Sequence, residues 1–311
     1  MELPKLAAGL VILLISGKYL VSSAVSLAQH LKVSRLVIGV TVVSFGTSAP
    51  ELLVSLQAAI GGHPDISMGN VIGSNISNIA LVLAISAIIY PIAVRSYSIK
   101  VDWPIMILAF VLLYVFSLDF NLGRIEGIIF LALLTGFIVF TIRNSRKKDQ
   151  QLLLEEITDE SMALWPALII LVVSAGGLAF GSHWLVEGAA VLARDLGISE
   201  RVISITLIAF GTSIPELATS GIAAFKREAD ISIGNIIGSN IFNIFAVLGI
   251  TSIITPIHVN EILVQVDIFW MLGISVLLFL FILPLKGGIL KRWKGGLLFL
   301  TYLCYLYFLF F

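Results

Sequence analysis

The chain has 311 residues, of which 59% are hydrophobic and only 12% are charged. Soluble domains are about 45–50% apolar and about 25% charged, so this composition excludes an ordinary water-soluble protein. Lysine plus arginine and aspartate plus glutamate each number 19, which leaves no basic excess for binding nucleic acid. The single cysteine, Cys304, excludes an intrachain disulfide.

Hydrophobic segments recur along the whole chain and predict ten transmembrane helices. Each segment is long enough to cross a bilayer, and a helix satisfies its own backbone hydrogen bonds in lipid. In chain order the segments cover residues 6–30, 35–60, 66–90, 101–118, 124–143, 162–193, 200–225, 231–254, 262–284 and 295–311. We therefore expect an all-α, multi-pass integral membrane protein embedded in the lipid bilayer.

The charged residues between these segments predict an orientation. Loops on one side carry 14 lysines and arginines, whereas the other side has Lys5, Arg124, Arg194 and Arg201. Cytoplasmic loops carry the excess of positive charge, so both termini are predicted outside the cell membrane. Residues 144–161 form the extended polar stretch, and we interpret them as a cytoplasmic linker.

The sequence contains an internal repeat with an offset of 165 residues. From Val37 to Pro91, 31 of 55 positions are identical in the two copies, including FGTSAPEL with FGTSIPEL and GNVIGSNISN with GNIIGSNIFN. Such similarity at a fixed period indicates a duplicated unit. We predict repeats at 1–143 and 162–311, with cores at 37–91 and 202–256.

Each repeat contains five predicted helices, and five is an odd number. The second copy must then enter the membrane from the opposite face, which predicts two inverted-topology repeats whose equivalent segments meet near the membrane midplane.

Two glutamates, Glu51 and Glu216, occupy equivalent positions within apolar segments. An acidic side chain at the bilayer centre costs about 2.5–3.5 kcal/mol, and neither segment contains a lysine or arginine except near its ends. A bound cation is the most economical counter-charge. The alternative is a pair of protonated, hydrogen-bonded glutamates.

Pro50 and Pro215 precede these glutamates and lack the amide hydrogen that a regular helix requires. We expect the helix to loosen there and to free carbonyl oxygens around residues 44–47 and 209–212. Broken helices at corresponding positions of inverted repeats are typical of a transporter's ion site.

The repeated motif GNVIGSNISN, which recurs as GNIIGSNIFN, contributes hydroxyl and amide groups. Its polar residues are Ser74, Asn75, Asn78, Ser239, Asn240 and Asn243. These oxygen atoms suit Ca2+ and Na+, whereas zinc or copper would prefer histidine or thiolate ligands. Two carboxylates balance one divalent ion, so a site that holds Ca2+ or Na+ in turn is predicted, without any cofactor.

These motifs resemble the two alpha-repeats of the calcium/cation antiporter superfamily, which includes the sodium/calcium exchangers. The resemblance extends over essentially the whole chain and is greatest to compact prokaryotic members. It implies a secondary active transporter, and no enzyme, that exchanges Na+ for Ca2+ by alternating access. In this family the first and sixth helices slide as a pair over a more rigid core.

The resemblance also implies individual ligands. Glu51 and Glu216 would bind Ca2+ together with backbone oxygens of Thr47 and Thr212. Na+ would use the hydroxyls of Ser48, Ser74, Ser213 and Ser239 and carbonyls near Ser44 and Ala209, with Asn78 and Asn243 at the remaining corner. Potassium-dependent members tend to carry an aspartate at the position of Asn243, so independence of K+ is expected.

The same residues are compatible with other functions. A Ca2+/H+ antiporter is the main alternative, because a proton could replace the cation on a carboxylate. A passive Ca2+ channel is a second alternative, since acidic residues also form cation filters. An intramembrane hydrolase is disfavoured because no histidine or lysine lies near Ser48 in the sequence. No oligomeric state is predicted.

Three further acids lie within hydrophobic segments. We interpret Glu187 as making a polar or lipid-interface contact, and Asp102 and Asp267 as stabilising helix N-termini. Lys18 has no acidic partner at a suitable spacing in the sequence.

Overall fold

The computed structural model describes residues 2–148, 162–195, 211–284 and 288–310. These ranges are almost entirely helical. Their helices are α1 Glu2–Leu31, α2 Arg35–Ile38, α3 Ser44–Thr47, α4 Ala49–Ile60, α5 Pro64–Ser77, α6 Ala84–Ile89, α7 Trp103–Phe116, α8 Arg124–Lys148, α9 Leu164–Asp195, α10 Ile214–Phe225, α11 Ala229–Phe242, α12 Gly249–Ile254, α13 Ile268–Ile282 and α14 Arg292–Phe310.

Short π-helical segments connect several of these helices. They cover Gly39–Val43, Asn78–Leu83, Ser98–Asp102, Asn243–Leu248 and Leu263–Asp267. Because a π-helical segment widens the turn, it changes the direction of the side chains that follow, and such segments are frequent at functional sites.

Four short strands form two antiparallel pairs. The strands are β1 Ile92–Val94, β2 Asn121–Leu122, β3 Ile257–His258 and β4 Gly288–Leu290. β1 pairs with β4, and β2 pairs with β3. Each pair therefore joins a strand from the first half of the chain to one from the second half.

The described part of the chain has the helices of a membrane protein. Seven helical spans are long and apolar enough to cross a bilayer: Pro4–Leu31, Pro64–Ile89, Ser98–Phe116, Arg124–Ser145, Leu164–Leu192, Ala229–Ile254 and Leu263–Ile282. The bent pair Arg35–Thr47 and Ala49–Ile60 counts as an eighth if taken as one span. The all-helical membrane class is confirmed.

The remaining predicted segments correspond to helices outside this set of spans. α10 covers the second part of segment 200–225, whose first part lies outside the described residues, and α14 covers segment 295–311. α8 continues to Lys148, into the stretch that we predicted to be linker.

The helices themselves repeat with the sequence offset of 165 residues. α4 and α10 begin at residues 49 and 214, α5 and α11 at 64 and 229, α6 and α12 at 84 and 249, and α7 and α13 at 103 and 268. The repeat in the amino-acid sequence is therefore also a repeat in local structure.

The two halves contribute the most deeply buried helices. The spans Pro64–Ile89 and Ala229–Ile254 are 78% and 89% buried, whereas Arg124–Ser145 is 28% buried. The first two spans are the most buried of the seven. They form the central core that positions the site.

A second apolar cluster contains residues of α1 and α9 together with residues of α2, α10 and α11, and α1 and α9 pack along each other over much of their length. A Cβ atom at Gly9 would lie 2.7 Å from the Leu185 amide nitrogen, and one at Gly181 would lie 3.0 Å from the Gly9 carbonyl oxygen. Small residues thus allow the two backbones to approach closely, and α1 and α9 form a tightly packed pair.

Gly238 allows a similar close approach within the core. A Cβ atom at this position would lie 2.5 Å from the Val40 carbonyl oxygen and would contact Ser44 Oγ. α11 therefore packs directly against the backbone of the π-helical segment that precedes α3.

We expect Gly238→Ala to lower the free energy of unfolding by about 1–3 kcal/mol, because the added methyl group overlaps backbone atoms that cannot move independently. The measurement is thermal unfolding of the detergent-solubilised protein. Gly136→Ala is the control, since Gly136 is exposed on α8 and its Cβ would meet no described atom within 4 Å. Equal unfolding temperatures for the two variants would contradict the proposed packing.

Candidate cation-binding site

The first copy contains a break in its second membrane segment. α3 ends at Thr47 and α4 begins at Ala49, and Ser48 between them has φ −84° and ψ 4°. The two parts are bent by 43°, and Pro50 lies in the first turn of α4. The predicted loosening of the helix before Glu51 is confirmed in this copy.

The second copy has the same local geometry where it is described. Ser213 has φ −86° and ψ 0°, and Pro215 lies in the first turn of α10. Ala209 lies outside the described residues.

The two glutamates occupy the first turns of α4 and α10, and both are 0% exposed. Ser48, which directly precedes α4, donates a hydrogen bond to Glu216 Oε1, so the two acids lie in the same region of the core. Helix N-termini favour negative charge, but no lysine or arginine among the described residues forms an ion pair with Glu51 or Glu216. The structure thus brings together the two acids that the repeat singled out and gives them no basic partner within the described ranges.

Hydrogen bonding to this pair is unequal. Glu216 Oε1 accepts from the hydroxyls of Ser48, at 3.5 Å, and Ser239, at 3.4 Å. Both oxygens of Glu51, and Oε2 of Glu216, have no hydrogen-bond partner among the described residues. Buried charged oxygens without partners are costly, so these three atoms are available to a positively charged ligand.

The threonines at the break contact the opposite copy. The Thr47 hydroxyl donates to Asn235 Oδ1 at 3.1 Å and lies 3.3 Å from Ser239 Oγ. In the other copy, the Thr212 hydroxyl donates to Asn70 Oδ1 at 3.3 Å and lies 3.1 Å from Ser74 Oγ. Each contact recurs with the two copies exchanged. Equivalent residues of the two copies therefore make equivalent contacts with the opposite copy.

The other serines predicted for the site are also buried around it. Ser213 Oγ lies 2.6 Å from Ser77 Oγ, and Ser44 Oγ lies 3.0 Å from the Asn235 carbonyl oxygen. The Ser44 carbonyl accepts from the Ser48 amide at 2.9 Å. The freeing of carbonyls that we expected around residues 44–47 therefore does not include Ser44 in this conformation.

Asn78 and Asn243 begin the π-helical segments that follow α5 and α11. Both are 0% exposed, and neither side-chain oxygen nor nitrogen has a hydrogen-bond partner among the described residues. A buried amide is normally hydrogen-bonded. The segment that begins at Asn78 packs on α10 and the one that begins at Asn243 packs on α4, so these two equivalent amides are candidate ligands.

Asn70 and Asn235 organise the site, although neither was predicted to be a site residue. Besides accepting from the threonines, Asn70 Nδ2 donates to Ser55 Oγ at 2.9 Å and Asn235 Nδ2 donates to Ser220 Oγ at 2.9 Å. Their identity in both copies was visible in the sequence. Their spacing from the glutamates gave no sign that they hold the threonines.

The other membrane-embedded acids have separate environments. Glu187 forms an ion pair with Lys5 at 2.5 Å, which confirms its interpretation as a polar contact. Asp102 and Asp267 lie beyond the first turns of the spans that start at residues 98 and 263, where the helix dipole is weak. They also directly precede α7 and α13, without a side-chain hydrogen bond that caps either helix, so their interpretation as N-terminal stabilisers stays a prediction. Asp267 instead accepts from the Tyr305 hydroxyl at 2.9 Å.

Comparison with known proteins places this chain in a family. The family model described as "Sodium/calcium exchanger protein" matches residues 4–143 and 166–311. The chain belongs to this family. The resemblance inferred from the repeated motifs is thereby confirmed.

Full-length relatives and solved structures support the assignment. The putative antiporter CaxA of Alkalimonas amylolytica is 40% identical over 310 residues, which cover 97% of this chain and 96% of that protein. The sodium/calcium exchanger MaX1 of Methanosarcina acetivorans is 32% identical, with 97% of each chain covered. A structure of the sodium-calcium exchanger NCX_Mj matches with a TM-score of 0.85 at 33% identity and covers 99% of this chain and 98% of that one.

We expect Asn70→Ala and Asn235→Ala each to lower the free energy of unfolding by about 1–3 kcal/mol, because each change removes one hydrogen-bond partner from a buried threonine and one from a buried serine. Both variants should also show a smaller rise in unfolding temperature on addition of Ca2+. Thermal unfolding with and without Ca2+ measures both effects. Asn121→Ala is the control, since Asn121 is exposed in β2, between α7 and α8. An unchanged Ca2+ effect in both site variants would contradict a role in positioning the ligands.

Proposed function

We propose that this protein exchanges Na+ for Ca2+ across the cell membrane by alternating access and does not require K+. The observation that carries the proposal is the buried pair Glu51 and Glu216, which has no basic partner among the described residues. A cation offsets their combined charge. Membership of the sodium/calcium exchanger family supports the same conclusion.

The surrounding atoms fit hard cations. Ca2+ takes about six to eight oxygen ligands in flexible geometry, and the side-chain ligands available here are carboxylates, hydroxyls and amides. Ca2+ would bind Glu51 and Glu216 with backbone oxygens of Thr47 and Thr212. Na+ would bind at sites that use Ser48, Ser74, Ser213, Ser239, Asn78 and Asn243, with carbonyls near Ser44 and Ala209.

Independence of K+ follows from the charge of this ligand set. Within the described ranges no three of the residues His, Cys, Asp and Glu cluster together, and Asn243 contributes a neutral amide. Two carboxylates balance one Ca2+. No third carboxylate is present there to offset an additional K+.

We further propose that ten helices form two five-helix repeats of opposite orientation, with both termini outside. The reciprocal Thr47–Asn235 and Thr212–Asn70 contacts support this arrangement, as do the exchanged strand pairs β1–β4 and β2–β3. The excess of lysine and arginine on one side supports the orientation.

Enclosure of the site favours exchange over passive conduction. Glu51, Glu216, Asn78 and Asn243 are all 0% exposed, whereas a channel in its conducting state offers ions a continuous path. An enclosed site must be opened to each side in turn. We propose that the tightly packed pair α1 and α9 moves as one unit over the core, against which it packs through an apolar cluster shared with α2, α10 and α11.

We expect Glu51→Gln and Glu216→Gln each to abolish Ca2+ uptake, because an amide removes half of the charge that binds the divalent ion. The measurement is radioactive Ca2+ uptake into proteoliposomes under an outward Na+ gradient, with and without K+. The unmodified protein should take up Ca2+ equally well without K+.

The matched control is Glu187→Gln, which alters a membrane-embedded glutamate that pairs with Lys5 and should retain uptake. Full uptake by either site variant would disprove the assignment of the carboxylates. A strict requirement for K+ would disprove that part of the proposal alone.

A Ca2+/H+ antiporter is the second candidate. It is favoured by the absence of hydrogen-bond partners for both Glu51 oxygens among the described residues, since a proton can neutralise a carboxylate as a cation does. Even in a Na+-coupled exchanger, protons and Ca2+ would then compete for the same oxygens.

We expect the apparent affinity for Ca2+ to fall as the pH is lowered from about 8 to about 5, because protonated glutamates bind Ca2+ poorly. Equilibrium Ca2+ binding to the purified protein over this range measures the effect. An affinity that does not change with pH would exclude competition. Uptake that follows a proton gradient and ignores Na+ would favour the second candidate over the first.

A further inference from the structure

A lysine connects the core to the paired helices α1 and α9. Lys226 follows the last residue of α10, and its Nζ donates to Ser22 Oγ at 2.9 Å and to the Lys18 carbonyl oxygen at 3.1 Å. Ser22 and Lys18 both belong to α1. Because Glu216 lies in the first turn of α10, one short helix joins a predicted ion ligand to this contact.

The rest of the α1–α10 interface is closely packed on the same side. A Cβ atom at Gly17 would lie 2.6 Å from Ile222 Cδ1, so there is little space between the two helices. The Lys226 contacts therefore extend an interface at which α1 already lies directly on the core.

The environment of Lys226 makes these hydrogen bonds important to its ammonium group. Burial, and secondarily the positive charge of Lys18, lower the pKa of Lys226, whereas Glu228 acts in the opposite direction. A partly buried ammonium group must recover the hydrogen bonds that it loses from water. Ser22 and the Lys18 carbonyl provide two of them, and only while α1 lies against α10.

The internal repeat shows that the contact has no equivalent on the other copy. At the offset of 165 residues, Lys226 corresponds to Gly61, Ser22 to Glu187 and Lys18 to His183. Gly61 has no side chain that could reach α9, and Glu187 pairs with Lys5 of α1 instead. The Lys5 contact joins α1 to α9 within the pair, whereas the Lys226 contact joins the pair to the core.

We propose that Lys226 is a one-sided latch that holds α1 against α10 and stabilises the state in which the cytoplasmic side is closed. This inference rests on the proposed alternating-access function and on the proposed orientation, in which Lys226 lies on the lysine- and arginine-rich side. Sliding of α1 and α9 breaks both hydrogen bonds. The absence of a lysine at residue 61 makes the two directions of sliding unequal in energy.

The latch has a measurable consequence for affinity. The apparent affinity at one membrane face is reduced by the fraction of molecules that are not open to that face. A latch that favours the cytoplasm-closed state therefore raises the half-saturating Ca2+ concentration at the cytoplasmic face. Loss of the latch lowers the half-saturating Ca2+ concentration at the cytoplasmic face and does not lower it at the outer face.

The test is Ca2+/Ca2+ exchange in right-side-out and inverted membrane vesicles, which needs no coupling ion. Lys226→Met should lower the half-saturating Ca2+ concentration at the cytoplasmic face by about three- to tenfold. Ser22→Ala should cause a smaller change in the same direction, and Lys226→Arg should stay near the unmodified value. Lys291→Met, which removes an exposed lysine from the same proposed side, controls for surface charge.

A second measurement does not depend on transport. Val21 lies one turn after Gly17 on the same face of α1 and is 1% exposed. In a Cys304→Ser background, Val21→Cys should react faster with a maleimide in inverted vesicles when Lys226→Met is also present. Failure of the unmodified protein to exchange Ca2+ would refute the proposed function, while the labelling rate would still decide whether the latch exists.

Two results would overturn the latch. One is an equal change of the half-saturating Ca2+ concentration at both faces, which indicates general damage to the site. The other is an unchanged labelling rate of Val21→Cys in the Lys226→Met variant.

Discussion

Two carboxylates of like charge, enclosed in a protein that lies in lipid, impose the constraint on which the rest of this structure depends. Glu51 and Glu216 are completely buried, and three of their four oxygens have no hydrogen-bond partner within the described residues. Neither glutamate can be stabilised by the surrounding lipid. The site therefore has to hold this charge where a cation can bind and dissociate. The surrounding helices, hydroxyls and amides do so.

The interlocking of the two copies provides the rigidity that such a site requires. Thr47 from one copy is held by Asn235 from the other, and Thr212 is held by Asn70. Because each copy completes the ligand environment of the other, neither half forms the site alone. In the inverted arrangement that we propose for the duplicated unit, this threonine–asparagine contact occurs twice.

We place the proposed movement outside this interlocked core. α1 and α9 contact each other through glycines at close backbone distance, and an apolar cluster joins them to α2, α10 and α11. Their connection to the core includes polar contacts that can be exchanged, such as Lys226 with Ser22. A division into a rigid core and a movable pair allows access to change while the ligands keep their geometry.

The amino-acid sequence by itself determined the membrane class, the repeat, the break before Glu51 and the selection of the two glutamates. Each of these depends on local chemistry: long apolar segments, a fixed offset, a proline without an amide hydrogen and charges in apolar surroundings. Only the tertiary structure decided which groups meet across the copies. The roles of Asn70 and Asn235, the partner of Asp267 and the contact of Lys226 with α1 all depend on packing between helices far apart in the chain, and the spacing of residues within one helix does not encode that packing.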